Sequence, residues 1–188
     1  MHIIIPILFL IICLIAIRFR KQKRIVFSLF LIPLLIFLSF FGYIGYNSWY
    51  HVKPSDITFS VTQEGNTYTV TGKWDKRLDN YRFPTDFIAF DTPNNTKIKK
   101  VERNRIEDYK DLDWSYLEAD VKDAFKDFKP KQNNLQVFDM ETSKKFRFSF
   151  ELPEDIHPKD IKVYYVHARE EPMDAVEYWF KSIPLTPQ

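Results

Sequence analysis

Three histidines, His51, His157 and His167, are the residues after position 50 with the widest range of chemistry. Imidazole exchanges protons near neutral pH and is a common ligand of transition metals. The three residues are scattered singly, without the His-x-His or Glu-x-x-His spacing of a metal site. A copper or zinc site therefore requires the fold to bring them together with Met140 or Met173. We expect no metal and no cofactor, and we keep the three histidines as weak candidate ligands.

Nucleophilic and phosphate-binding chemistry has less support in the sequence. The only cysteine, Cys13, lies in an apolar run, and none of the six serines after residue 50 occupies a Gly-x-Ser-x-Gly motif. Gly65 and Gly72 are the two glycines of that region, too few for a glycine-rich phosphate loop. We expect the protein not to be an enzyme. A hydrolase with an unrecognised pair of carboxylates is the weakest alternative.

The charges divide the 188-residue chain into two parts near residue 50. The first 50 residues contain no Asp or Glu and only five of the 27 Lys and Arg residues. The remaining 138 residues carry all 25 acidic residues and a formal charge of −3, so the overall charge of +2 describes neither part. Because the excess of positive charge is confined to one short block, we expect no nucleic-acid partner.

Two uncharged runs in the first part predict membrane-spanning helices. Residues 1–17 are just long enough, at about 25 Å as a helix, and residues 25–50, at about 39 Å, exceed the hydrocarbon core of about 30 Å. The loop between them, 18–24, contains five positive charges: Arg18, Arg20, Lys21, Lys23 and Arg24. By the positive-inside rule this loop is cytoplasmic. The sequence predicts a two-span protein of the cell membrane with residues 51–188 outside.

The outer part shows the period of two that is typical of antiparallel strands. The predicted strands are 57–62, 67–74, 86–90, 97–103, 135–140, 145–152, 162–168 and 177–183. We expect the first and second of these to form a hairpin, and likewise the fifth and sixth. About eight short strands separated by turn signals favour an antiparallel β-sandwich.

One interruption of the strand pattern is helical. Residues 115–118 match a capping box, and a proline at position 130 ends the run, which predicts a helix at 116–129. Its apolar residues recur at helical spacing: Leu117, Val121, Ala124, Phe125 and Phe128. We expect this stripe to pack on the sandwich, with Trp179 beneath it. The alternative is an exposed contact patch, so Phe125 and Trp179 are also candidate interaction residues.

The segment 152–164 resembles the E–F corner of immunoglobulin-like domains. It ends in Asp160-x-x-x-Tyr164 at the start of a predicted strand, and in that corner such a tyrosine bonds back to the backbone across the turn. The cysteine pair and packed tryptophan of antibody domains are missing. The resemblance therefore implies an Ig-like sandwich, with a helical insertion, in the architectural sense and no particular activity.

Together these observations favour a non-catalytic, membrane-anchored interaction module outside the cytoplasm, of the accessory-subunit, immunity or sensor type. Its expected partners are the lipid bilayer and another membrane or extracytoplasmic protein. The alternative is an exported domain that binds a metal or a small ligand through its histidines.

Overall fold

The structure is a computed structural model that describes residues 24–80, 82–106, 114–130, 135–154, 156–171 and 175–186, together with residues 14, 17 and 18. The chain divides into two compact units, Met1–Tyr50 and His51–Gln188. The boundary between them coincides with the change in composition near residue 50.

The first unit contains one long helix, α1 (Arg24–Trp49). Its segment Leu31–Trp49 is apolar and, by length and composition, could cross a membrane. Large apolar side chains on this helix are exposed, among them Ile36 and Phe40. A helix is therefore present where the sequence predicts the span 25–50. Apart from residues 14 and 17, the predicted span 1–17 lies outside the described residues, so the second span stays a prediction.

The second unit is mainly β, with two antiparallel four-stranded sheets. Its strands are β1 (Ile57–Glu64), β2 (Thr67–Trp74), β3 (Thr85–Asp91), β4 (Lys99–Arg103), β5 (Leu135–Glu141), β6 (Lys145–Glu151), β7 (Lys162–Glu171) and β8 (Ala175–Ile183). The first sheet has the order β1-β2-β6-β4, and the second has the order β5-β3-β7-β8. Each predicted strand is present, with ends shifted by a few residues.

The first predicted hairpin is confirmed. Strands β1 and β2 pair from Ile57 opposite Trp74 to Glu64 opposite Thr67, which leaves a two-residue turn. The first residue of that turn, Gly65, has a φ of +58°, in the left-handed region where side chains other than glycine are strained.

The second predicted hairpin is wrong, because β5 and β6 belong to different sheets. The connection between them crosses from one sheet to the other and is held at both ends. Thr142 donates its backbone N–H to the carbonyl of Pro84 (3.0 Å), beside β3, whereas the carbonyl of Lys144 accepts from the N–H of Trp74 (3.0 Å), at the end of β2. Alternation predicts which residues are buried, but it does not identify the strand that each one pairs with.

The second sheet is buried on both faces. One face packs against the first sheet, with the rings of Phe146 and Tyr165 stacked at 4.9 Å between centroids. The other face packs against the second helix, α2 (Trp114–Phe128), through a continuous apolar cluster that includes Phe87 and Val166. The unit therefore has three layers, namely sheet, sheet and helix.

Helix α2 confirms the predicted 116–129 helix and most of its buried stripe. Leu117, Val121 and Phe125 are buried. Phe128, in the last turn, is 48% exposed and stacks on Phe180 at 5.2 Å. Ser115 lies within the helix and not at its N-cap, since the described helix begins at Trp114.

Tyr164 does not fold back over the preceding turn as the predicted tyrosine corner requires. Alternation along β7 places it on the face toward α2, within the same apolar cluster as Phe125. Its hydroxyl accepts a hydrogen bond from Nζ of Lys129, just after that helix, at 2.7 Å. The corner interpretation is wrong because the inserted helix provides this tyrosine with a different partner.

Candidate functional site: a buried aspartate and histidine cluster

The most concentrated polar chemistry in the described residues lies between the two sheets. His167 and Tyr165 project from β7, Asp86 projects from β3, and Asp79 comes from the connection between β2 and β3. All four are buried, with no more than 1% of any residue exposed. Because β3 and β7 are paired neighbours, with Phe87 opposite Val166, the next step in register brings Asp86 beside His167.

Asp86 is the centre of this cluster. Its Oδ1 atom lies 2.7 Å from Nδ1 of His167 and accepts the backbone N–H of Ala168 at 3.2 Å. Its Oδ2 atom accepts the hydroxyl of Tyr165. Both carboxylate oxygens are thus bonded, which is the condition under which a carboxylate can be buried without a large penalty.

The other ring nitrogen of His167 faces a second carboxylate. Nε2 of His167 lies 3.5 Å from Oδ2 of Asp79. The other oxygen of Asp79, Oδ1, accepts the backbone N–H of Val52 at 3.0 Å. The imidazole is therefore held between two aspartates, and one of them also fixes the segment that leads into the sandwich.

This environment keeps His167 protonated at neutral pH. Burial lowers the pKa of His167, but the nearby carboxylates of Asp86 and Asp79 outweigh that effect and raise the pKa to about 9. The same site acts on Tyr165, since burial and the adjacent Asp86 carboxylate raise the pKa of its hydroxyl well above the usual value. At pH 7 the ring of His167 is therefore an imidazolium and the hydroxyl of Tyr165 is neutral.

The structure does not bring the three predicted histidines together. His167 is enclosed between the sheets, and His157 is exposed in the turn before β7. His51 is exposed at the start of the unit, where its Nε2 atom lies 2.7 Å from Nη1 of Arg169. Since a guanidinium can only donate, Nε2 of His51 is the acceptor and is occupied by that bond.

Among the residues that the structure describes, no group of three or more His, Cys, Asp and Glu side chains is arranged to hold a metal ion. The aspartates beside His167 point at opposite sides of one ring and not at a common centre. Of the two methionines considered, Met140 is buried on β5 and Met173 lies outside the described residues.

Phe125 and Trp179, the two predicted interaction residues, lie on opposite sides of the second sheet. Phe125, a residue of α2, is buried between that helix and the sheet, with its ring 5.3 Å from that of Phe180. Trp179 is half-buried and faces the first sheet, where it contacts Trp74 at 5.7 Å and the ring of His167 at 5.2 Å. The prediction that Trp179 packs beneath the helix is wrong, because its neighbours in β8 take the helix-facing positions.

Most of the basic residues of 18–24, which are predicted to set the membrane topology, lie outside the residues that the structure describes. Arg18 is exposed in a short helical stretch, and Arg24 begins α1. Arg20, Lys21 and Lys23 lie outside the described residues. The cytoplasmic placement of 18–24 therefore stays a prediction.

Sequence reasoning missed the two aspartates, although one signal points to Asp86. It occupies an inward position of the alternating run Asp86-x-Ile88-x-Phe90, where the other side chains are buried and apolar. A carboxylate at such a position needs a buried partner. Asp79 has no comparable signal, since it lies in an irregular connection.

The cluster contains residues that could form an acid–base site, but a substrate has no access to them. An aspartate oriented on an imidazole is half of a catalytic triad, yet the far nitrogen of His167 faces a second aspartate and not a serine or cysteine nucleophile. With the ring fully buried, no substrate atom reaches it. The arrangement acts as an internal ion-pair cluster joining β3, β7 and the leading segment.

A scan against protein-family models and a search of curated proteins each found no match to this chain.

Proposed function

We propose that the protein is a non-catalytic interaction module held in the cell membrane by its N-terminal part, with the sandwich outside the cytoplasm. The observation that carries the proposal is helix α1, whose apolar surface is exposed over its whole length from Leu31 to Trp49. In water such a surface would drive aggregation, whereas a bilayer covers it.

The outer end of α1 supports the same placement. Tyr43, Tyr46 and Trp49 are exposed there, and Trp49 is 86% exposed. Aromatic rings with a polar edge concentrate at the level of the lipid headgroups. The sandwich begins at His51, so the chain leaves the bilayer and enters the folded unit within a few residues.

We propose that the protein is not catalytic because its best-arranged polar groups are buried. His167, Asp86 and Tyr165 are the best-arranged acid–base residues of the described chain, and they are enclosed. Both oxygens of Asp86 are bonded, and Nε2 of His167 faces the buried carboxylate of Asp79, so the cluster presents no group to the surface for a substrate. An outer unit built in this way is suited to present a surface.

An Ig-like arrangement fits this role. If β1, β2, β3, β6, β7 and β8 are taken as strands A, B, C, E, F and G, the sheets contain the neighbours A-B-E and C-F-G, as in immunoglobulin-like sandwiches. Sandwiches of this kind commonly serve as recognition domains, an argument from analogy. The partner we propose is another membrane or extracytoplasmic protein.

The first experiment tests the topology with reporters in the full chain. Alkaline phosphatase fused after Gln188 should be active, and a reporter that works only in the cytoplasm should be inactive at the same position. Replacing Arg18, Arg20, Lys21, Lys23 and Arg24 by neutral residues should produce mixed orientations. An inactive phosphatase fusion, with an active cytoplasmic reporter, would overturn the outer placement.

The second experiment tests the interaction role. The full chain is cross-linked in intact membranes, extracted with a mild detergent and isolated, and co-isolated proteins are quantified against the chain. A stoichiometric protein, which can include a second copy of the chain, is the expected result. A chain isolated alone from cross-linked membranes, or turnover of a small molecule by the purified protein, would contradict the proposal.

A further inference from the structure

The edge of the first sheet formed by β1 differs from the other sheet edges. The residues from Ile57 to Gln63 contain no charge, no proline and no glycine, and five of the seven are β-branched or aromatic. Neutral segments of this kind have a strong tendency to pair with further strands. Natural sheets usually block such edges, but β1 itself contributes no charge and no proline over these seven positions, and the side chain that covers its backbone there, Lys181, does so at Ile57.

The remaining edges carry protection. On β4, the pairing register shifts between Lys99 and Glu102, and Lys100 adopts a left-handed φ of +52°. On β5, the carbonyl of Asp139 accepts a hydrogen bond from Arg103. Strand β8 carries the charged residues Glu177 and Lys181. Bulges, charges and covering side chains are the usual means of preventing strand addition.

The backbone groups available on β1 can be identified from its bonds. The carbonyl of Asp56 accepts from the N–H of Asp75, so even-numbered positions face β2. The carbonyl of Ile57 accepts instead from Nζ of Lys181, so odd-numbered positions face outward. Phe59, Val61 and Gln63 therefore turn both their N–H and C=O groups away from the sheet, and none of these groups has a backbone partner within the described chain.

We propose that a second copy of this chain pairs with β1, antiparallel and related by a two-fold axis at Val61. This register is the one that uses all three outward residues without Ile57, whose carbonyl is occupied. Val61 pairs with its own copy, and Phe59 pairs with Gln63 of the second copy, which gives about six backbone hydrogen bonds because each such pair exchanges two. The two first sheets become one continuous sheet.

Side-chain chemistry favours a second copy as the occupant. Pairing about Val61 sets Ser60 opposite Thr62 and Thr58 opposite Glu64, so no two like charges face each other. Ser and Thr pairs across strands are favourable. Because the segment is neutral and matches itself in this register, it forms the self-complementary patch that a two-fold interface requires.

This inference deepens the interaction role and rests on it, since anchoring in one membrane raises the local concentration of β1 edges. The two can fail separately. A monomeric chain that still binds a different membrane protein removes the pairing and leaves the interaction role. A chain that cross-links to nothing removes both.

Cysteine cross-linking tests the register in membranes. In a Cys13→Ala background, chains carrying Ser60→Cys are co-expressed with chains carrying Thr62→Cys. These positions form a non-hydrogen-bonded pair across the two-fold axis, with Cα atoms about 4.5 Å apart, close enough for a disulfide. Only mixed dimers carry the facing cysteines, and random pairing of equal amounts makes about half of the dimers mixed, so we expect up to about half of the chain at the mass of a dimer. The control replaces Ser60→Cys by Thr71→Cys, an exposed position on β2, and should give at least tenfold less.

Charge variants of the full chain in detergent or nanodiscs provide the second measurement, read as molar mass by light scattering. Ser60→Lys with Thr62→Lys places lysines opposite each other and should give monomers of the 22.6 kDa chain. Ser60→Lys with Thr62→Glu places opposite charges together and should restore the dimer. Both positions are exposed, so both variants keep the fold. Equal masses for the two variants, with cross-linking no stronger than the control, would overturn the pairing.

Discussion

The second sheet, β5-β3-β7-β8, places two different kinds of interior on its two sides. Toward the first sheet, Asp86, Tyr165 and His167 form an ionic cluster packed against Trp74 and Trp179, beside apolar residues of the same face. Toward α2, the intervening residues form an apolar layer. The same strands supply both sides, so the difference is a consequence of residue parity. The apolar side can accept different apolar side chains as long as they fill the same space. The ionic side requires each charged residue to keep its partner at its position.

The largest expected effect is that of removing the centre of the ionic side. Asp86→Ala leaves a buried imidazolium beside a single aspartate and removes the acceptor of Tyr165 and of the Ala168 N–H. The expected loss in the free energy of unfolding is about 5 kcal/mol, the upper end for breaking a buried ion pair. Chemical denaturation of the full chain in detergent measures it.

Asp123→Ala is the matched control, because Asp123 is exposed on α2 and forms an ion pair there with Lys126. Its expected loss is below about 0.5 kcal/mol. If Asp86→Ala is no worse than this control, the ionic side contributes nothing specific and the contrast between the two sides is removed.

The corresponding change on the apolar side is Phe125→Ala. It empties a space next to Tyr164 and Phe180, whose rings lie 5.2 and 5.3 Å from that of Phe125. The expected loss is about 3–4 kcal/mol, within the range for deleting a buried phenylalanine. Phe125→Leu should lose less than half as much, because an apolar layer can repack around a smaller group.

A thermal melt of the same detergent-solubilised chain measures both Phe125 variants. Tyr116→Ala, on the exposed side of α2, is the control and should leave the melting temperature nearly unchanged. An unaltered melt for Phe125→Ala, together with loss of a co-isolated protein, would show that this helix face belongs to an interface and not to the core.

The two sides also differ in how far the sequence predicted them. The helix at 116–129 and its stripe follow from spacing within 15 residues, and the structure places the helix at Trp114–Phe128. The ionic side joins residues far apart in the sequence, with Asp86 and His167 separated by 81 positions. Period-two patterns assign residues to faces, but pairing depends on which strands become neighbours, and local spacing carries no information about that.

The same reason explains the errors over β5, β6 and Trp179. Both strands have the expected alternation, yet the connection between them crosses to the other sheet, held by Thr142 and Lys144. For Trp179, alternation predicts that it and Phe180 face opposite sides of the sheet. It does not predict which of those sides α2 covers. Its neighbour Phe180 takes the helix side, so Trp179 necessarily faces the first sheet.

Raising the pH should weaken the ionic side alone. The pKa of His167 is about 9 in the folded protein against about 6.5 when unfolded, so its stabilising contribution is complete below about pH 6.5 and is lost as the pH rises through 9. A difference of this size corresponds to a loss on the order of 3 kcal/mol. Denaturation at pH 6, 7.5 and 9 measures the slope.

His167→Gln supplies the control for this experiment, since it cannot titrate. Its stability should be lower at pH 6 and should change little up to pH 9, whereas Phe125→Leu should keep the pH slope of the unaltered chain. A slope that persists in His167→Gln would mean that another group is responsible for the pH dependence.

The smallest expected effect is that of Tyr164→Phe, on the apolar side. In an Ig-like tyrosine corner the hydroxyl bridges a turn of the backbone, and its removal would weaken the link between two strands. Here the hydroxyl accepts from Lys129, which also lies 5.0 Å from the tyrosine ring. Lys129 is only half-buried, so the bond competes with water and its loss should amount to about 1 kcal/mol.

Lys129→Met should have an equal effect, and the double variant should be no worse than either single one, because both changes remove the same contact. Additive losses in this cycle would mean that Tyr164 has a second partner and that the two sides of the sheet are less distinct than the structure indicates.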